Sequence, residues 1–264
     1  MYYLIGTTIV IAIILIIIYK NYDLHNTSLI KSVSNNLESN EMTNGPSIPK
    51  IIIQTWKTNT VPQRYMTLID SVKANNPDYE YLFFTDESIE KFFKMHYPEY
   101  WNTFSSLPIK IQKIDFFRYV AVYHYGGFYL DLDISVLKPF DPLLHYSCVF
   151  PVDEYIDMRL CKHPRYKSYC EKGHNFLLGQ YAFGASPKNP FIKALIDNIH
   201  NNLNKYIRQV DFASEDYIYK TTGPDFVTDI YINYKNKNSI KILDNGKRQY
   251  FGDYARHNYF GTWK

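Results

Sequence analysis

The chain has 264 residues, 46 % of them hydrophobic, and a net charge of +3. That suits one sizeable domain with its own core. So small an excess of charge, with no Lys/Arg cluster, gives no argument for a nucleic-acid partner, and none is expected. Aromatic content is high through 26 Tyr residues. Such rings suit sugar and nucleotide sites, because the face stacks while the hydroxyl bonds. A general bias toward Tyr, Asn, Lys and Ile explains the same count.

From Tyr2 to Tyr19 the chain is uncharged and rich in Ile, and Lys20 ends the run. This is near the minimum length for a membrane span. No basic stretch precedes it and no small-residue cleavage site ends it, so residues 1–20 read as an uncleaved transmembrane anchor. Lys20 and Lys31, just after the run, argue against a lumenal C-terminal domain, whereas the sequon Asn26-Thr27-Ser28 argues for one. Residues 21–47 are polar and read as a flexible stem, leaving 48–264 as the folded domain.

Within that domain Lys50 to Thr55 reads as a short buried strand and Pro62 to Asn75 as a helix. Asn76-Pro77-Asp78 is a turn before a second strand, Tyr79 to Thr85. Thr85 or Asp86 caps the next helix, to about Met95. Pro108 opens a long helix that stops at Gly126-Gly127. Phe128 to Asp133 then reads as a strand, and Ile134 to Leu137 as another extended piece. Cys148–Val152, Gln180–Ala185 and Ile240–Leu243 are further strands. Helices are expected from Pro190 to about Tyr206 and from Gly223-Pro224 to about Asn233. This alternation predicts an α/β layered domain with a mostly parallel central sheet.

The central motif is Asp131-Leu132-Asp133. In a strand, alternate side chains share a face, so both carboxylates are expected together at the carboxyl end of a buried strand, where open α/β sheets bind ligands. Two facing carboxylates repel, and a divalent cation removes that repulsion. Oxygen ligands suit Mn²⁺ or Mg²⁺, which can bridge to a diphosphate leaving group. Cys161 and Cys170 are candidates for a disulfide, and with His163 and His174 they also form a scattered potential zinc set of no common spacing.

Ile48-Pro49-Lys50-Ile51-Ile52-Ile53-Gln54-Thr55-Trp56, Asn76-Pro77-Asp78-Tyr79-Glu80-Tyr81, Asp115-Phe116-Phe117-Arg118-Tyr119 and Tyr125-Gly126-Gly127-Phe128-Tyr129-Leu130-Asp131-Leu132-Asp133 together resemble the glycosyltransferase family with the sugar-binding Asp-x-Asp motif. That family includes initiating α-1,6-mannosyltransferases and inositolphosphoceramide mannosyltransferases. The resemblance implies a GT-A-type fold and a retaining reaction with Mn²⁺ or Mg²⁺. It implies a nucleotide-sugar donor (GDP-mannose first, then a UDP-hexose) and a glycan, lipid or protein acceptor. It also implies an endomembrane location of Golgi or ER type. By the same likeness Asp133 is a direct metal ligand, Asp131 touches ribose and metal, and Trp56 stacks on the base or else belongs to the core. Asp115 and Arg118 lie three apart on one helix, as a surface ion pair or, by the likeness, as donor contacts. His257 would complete the metal shell or meet the diphosphate, and Thr262 and Trp263 would touch phosphate. Gln54 departs from the His common in this family. Thr222-Gly223-Pro224, with Asp225, resembles an acceptor-side loop or is an ordinary turn. Two other readings compete: a membrane-tethered sugar-binding protein without turnover, and a haloacid-dehalogenase-like phosphohydrolase. The latter needs a later acidic pair after Gly252-Asp253, where position 257 is His.

Overall fold

The computed structural model describes residues 47–212, 214–245 and 250–261. The expected anchor and almost all of the stem lie outside the described residues, as do Thr262 and Trp263. Among the described residues no helix is long and apolar enough to cross a membrane.

The β-branched run Ile51–Trp56 forms strand β1, with Ile52 and Ile53 buried. Pro62 precedes the helix Gln63–Asn75, whose Tyr65, Ile69 and Val72 face inward. Strand β2, Glu80–Thr85, pairs with β1 in parallel. Thr85 and Ser88 then close a reciprocal capping box at the start of helix Asp86–His96, satisfying two orphan N–H groups. The helix Lys110–Tyr125 is buried on most sides, from Asp115 to Val122 without a break. It ends where Gly126 and Gly127 take positive φ of 71° and 86°. A Cβ on Gly127 would fall 2.7 Å from that of Ile51, so the close approach of the next strand to β1 requires glycine.

That strand, β3 (Gly127–Leu130), pairs with β1 in parallel, with Ile53 opposite Tyr129. The chain then folds into β4 (Ile134–Val136), which leaves the main sheet. Strand β5 (Cys148–Tyr155) carries the antiparallel β6 (Phe176–Leu178) on one side. On its other side β7 (Ala182–Ala185) sits antiparallel to both β3 and β5. Strand β8 (Lys241–Leu243) joins β5 in parallel. The main sheet is therefore mixed, in the order β2-β1-β3-β7-β5-β6 with β8 on β5. A second sheet orders β4, β10 (Ala255–His257) and β9 (Tyr250–Phe251), and sets His257 opposite Ile134.

Several elements differ from their expected bounds. Strand β3 ends at Leu130, and Asp131-Leu132-Asp133 form a turn rather than strand residues. One last rung, the Asp131 N–H donating to the Tyr181 carbonyl at 2.7 Å, extends the pairing, and the chain then turns to supply the second sheet. Gln180 and Tyr181 precede β7 instead of belonging to it. Helices Pro98–Ser106, Pro164–Glu171 and Glu215–Thr221 were not anticipated; all three are short, at 9, 8 and 7 residues. Cys161 and Cys170 form a disulfide that closes over the start of helix Pro164–Glu171, leaving Cys148 a buried free thiol.

Candidate functional site

A cavity of about 580 Å³ opens at the carboxyl ends of β1 and β3. Trp56, Asp115, Arg118, Asp131, Asp133 and His257 all line it. Six residues expected from the sequence to act together, drawn from four separate stretches of chain, are thus one surface. The strand argument for Asp131 and Asp133 is replaced by a turn argument, but both side chains still reach one cavity.

The floor is a buried polar network. Asp115 is fully buried; its Oδ1 lies 3.0 Å from Arg118 Nη2 and accepts from Gln180 Nε2 at 3.2 Å, and its Oδ2 accepts from Thr222 Oγ1 at 2.7 Å. Burial pushes this carboxyl up to about 6, against the pull of Arg118 and Thr222. Arg118 is 2 % exposed, donates to both oxygens of Gln180, and stacks 4.6 Å over the Tyr129 ring. Burial opposes its charge, but Asp131, Tyr129 and Asp115 more than offset this and hold it protonated. The pair is therefore neither a surface ion pair nor idle: Arg118 joins Asp115 below to Asp131 above, 3.3 Å from Asp131 Oδ1. Tyr129 donates to the same oxygen at 2.9 Å. Gln54, wholly buried, donates from Nε2 to the Asp131 carbonyl at 3.2 Å while Tyr81 donates to its Oε1 at 2.8 Å. The residue that departs from the family pattern thus holds the turn that presents the carboxylates.

Asp133 faces the C-terminal segment. His257 Nε2 stands 3.3 Å from Asp133 Oδ2, and the Phe260 N–H donates to the same oxygen at 3.0 Å. Asn258 donates to the Asp133 carbonyl from both its N–H, at 3.0 Å, and its side chain, at 2.7 Å. Burial raises the Asp133 carboxyl, but His257 and Phe260 outweigh it and hold it below the usual range. Asp131 goes the other way, raised by burial despite Arg118. The His257 ring stacks on Tyr181 at 4.4 Å. Trp56 answers both of its readings: it packs against Tyr65, with ring centroids 5.0 Å apart, and also lines the cavity.

Among the described residues, no three or more His, Cys, Asp or Glu side chains stand close enough to enclose a metal ion. What converges is a partial set. Asp133 and His257 are together; among the described residues Asp131 Oδ2 takes no hydrogen bond and His257 Nδ1 is buried without a partner that would fix its tautomer. Mg²⁺ and Mn²⁺ keep waters and complete their shells with substrate phosphates, so two or three protein ligands fit an ion shared with a diphosphate. They do not fit a closed structural site.

Sequence reasoning missed Tyr129, Gln180, Asp153 and Arg165. Tyr129 alternates with Asp131 on one strand face, which was a usable signal; the others lie in loops or short elements with none. Arg165 makes a fork onto Asp225, with Nε 3.1 Å from Oδ1 and Nη2 2.5 Å from Oδ2. Gly223 and Pro224, just before Asp225, line the cavity, and Pro224 opens the helix Pro224–Asn233.

The mixed sheet with a ligand cavity at its strand ends defines an α/β domain of GT-A-like fold. The solved structure described as "PaToxG Glycosyltransferase" has this fold: TM-score 0.51 and 19 % identity, over 78 % of this chain and 77 % of that one. Residues 62–150 match the family described as "Glycosyltransferase sugar-binding region containing DXD motif". Inositol phosphoceramide mannosyltransferase 3 of Schizosaccharomyces pombe is 46 % identical over 100 residues, which is 38 % of this chain and 28 % of that protein. Inositol phosphoceramide mannosyltransferase 1 of the same yeast is 29 % identical over 226 residues, 81 % of this chain and 63 % of that protein. Mannosyl phosphorylinositol ceramide synthase CSH1 of Saccharomyces cerevisiae is 29 % identical over 264 residues, 94 % of this chain and 62 % of that protein. The matched regions span less than two thirds of these relatives' own lengths.

Proposed function

We propose that the chain is a divalent-cation-dependent, retaining glycosyltransferase that moves a hexose, mannose first, from a nucleotide-sugar donor to a hydroxyl-bearing acceptor. One observation carries the reading: Asp131 and Asp133 present carboxylates to one cavity, with a buried Asp115–Arg118 pair below and His257 opposite. The mannosyl preference and a lipid or glycan acceptor come from the named relatives; GDP-mannose is the first donor to test, then UDP-galactose and UDP-glucose.

Asp133, His257 and Asp131 would hold the cation. When bound, it supplies the positive charge that neutralises a leaving diphosphate. The protein's own groups do the rest. Trp56 offers a ring face to the base. Asp115 and Gln180 form a fixed frame that positions Arg118, and Arg118 with Tyr129 fixes Asp131, so little reorganisation is needed at the moment of reaction. An acceptor oxygen forms a bond to the anomeric carbon as the bond from that carbon to the phosphate oxygen breaks. The electron pair leaves with the diphosphate, and the acceptor's proton passes to a phosphate oxygen.

The apolar run 2–19 would tether the domain to an endomembrane. The Cys161–Cys170 disulfide supports an oxidising lumenal face, in agreement with the sequon.

The test is transfer of labelled sugar from each donor in Mn²⁺. Wild type should transfer. Asp133→Ala should lose at least ~10²-fold in rate, on the scale of removing one group that stabilises the transition-state charge, and should melt within a few degrees of wild type. A fully active Asp133→Ala enzyme contradicts the assignment. Binding of the donor without turnover would favour the sugar-binding alternative.

A further inference from the structure

Asp153 has no part in the reaction described above, yet it lines the same cavity. Its place is set by an irregularity of the backbone. Strand β5 pairs with β6 through Val152 opposite Leu178 and Glu154 opposite Leu177, so Asp153 is the extra residue of a β-bulge. Bulges re-aim a side chain, and here the re-aimed side chain is a carboxylate on the cavity wall. Its carboxylate accepts no hydrogen bond from any described residue, although it is partly buried. Burial pushes its carboxyl up to about 6, with His257 and Arg165 pulling it down and Glu154 and Asp225 pushing it up. A carboxylate aimed into a cavity without a hydrogen-bond partner among the described residues is a candidate to bind something there.

Strand order tells which end of the cavity it serves. Trp56 ends β1, Asp131 and Asp133 follow β3, and Asp153 lies on β5, in the sequence β1-β3-β7-β5 across the sheet. Asp153 is therefore across the carboxylate turn from the base-stacking Trp56, at the end away from the nucleotide. Among the described residues the charge there is negative: Asp153, Glu154 and Asp225 face, besides His257, one guanidinium, Arg165, whose fork is already closed on Asp225. Arg165 also lies 4.5 Å over the ring of Tyr219, and Tyr219 and Tyr259 line the cavity beside it. Carboxylates accept from hydroxyls, tyrosine rings lie flat against sugar C–H faces, and surplus negative charge repels phosphate.

We propose that Asp153 is an acceptor-selecting residue that receives hydrogen bonds from the hydroxyls of an uncharged polyol ring seated at the Arg165–Asp225 end of the cavity. This rests on the glycosyltransferase reading for the word acceptor, but the binding claim stands on its own. Any phosphate that the acceptor carries is kept outside this end.

The experiment uses the full chain with Mg²⁺ and ligand-observed NMR. Methyl α-mannopyranoside is the neutral probe and mannose 6-phosphate the anionic one. Wild type should bind the neutral glycoside more tightly than the phosphate ester. Asp153→Asn and Asp153→Ala should each weaken the glycoside at least tenfold, and Asp153→Asn should lessen the discrimination against phosphate. Both should melt at or above the wild-type temperature, which a structural carboxylate would not allow. Unchanged glycoside binding in the variants, no glycoside binding by wild type, or a wild-type preference for the phosphate ester would each overturn the proposal. A wild type that binds the glycoside through Asp153 but transfers no sugar sinks only the enzymatic reading.

Discussion

Gln54 and Asp115 show how single residues shape this site. Gln54 joins the Tyr81 hydroxyl to the Asp131 carbonyl, so it fixes the backbone from which one carboxylate projects. Gln54→Ala leaves both partners unpaired, and is expected to lower stability by ~1–3 kcal/mol and slow transfer about tenfold or more. Chemical denaturation and initial rates check the two effects separately. Asp115 makes a pH prediction. Its folded carboxyl lies at about 6, above the ordinary value of 3.8. Between those values the folded protein holds a proton that the unfolded chain has lost, so this residue's contribution falls as pH rises from about 4 to about 6. Asp115→Asn should remove up to one proton's worth of that slope, ~1.4 kcal/mol per pH unit, in denaturation curves taken across the range. A slope that Asp115→Asn leaves unchanged would contradict the burial argument. None of the Gln54 role was legible beforehand: the sequence marks it as a departure from His, and only the fold brings Tyr81 and Asp131 to it from 27 and 77 residues away.

Among elements, the turn after β3 matters most. A strand carrying both carboxylates was the natural reading of Phe128 to Asp133, because apolar and acidic residues alternate there. The strand ends early because the chain must cross to β4, and a sequence pattern carries no record of that second sheet. The Gly126-Gly127 stop, by contrast, was legible, since paired glycines after a long helix signal a left-handed exit. Gly127→Ala tests the requirement: positive φ and contact with Ile51 should destabilise the domain by ~2 kcal/mol or more. A melting temperature equal to wild type would show that the strand can relax. The Pro164–Glu171 helix was illegible for a different reason. It is a short polar segment held by the Cys161–Cys170 bond, which closes a separation of 9 residues, and by the Arg165 fork, neither of which has periodicity. In the loop-entropy account that bond contributes ~2–3 kcal/mol. Replacing both cysteines by Ser should cost about that amount by denaturation and should loosen the wall that carries Arg165.

At the scale of the whole molecule, the site exists because distant segments are folded onto one sheet edge. The second sheet places His257 beside Asp133 across 124 positions of sequence, by pairing it with Ile134. The motifs named residues that line one cavity, and the meeting of His257 with Asp133 depends on β10 docking on β4. That docking also explains why a tail His, normally exposed, is 12 % exposed here. The central claim is that Asp131 and Asp133 grip a cation that a diphosphate shares. Calorimetric titration of the full chain with GDP and with UDP, with and without Mn²⁺, tests it most directly. At least one nucleoside diphosphate should bind only when Mn²⁺ is present, and Asp133→Ala should abolish that binding while melting like wild type. Equal affinity without the cation, or in Asp133→Ala, would contradict the account.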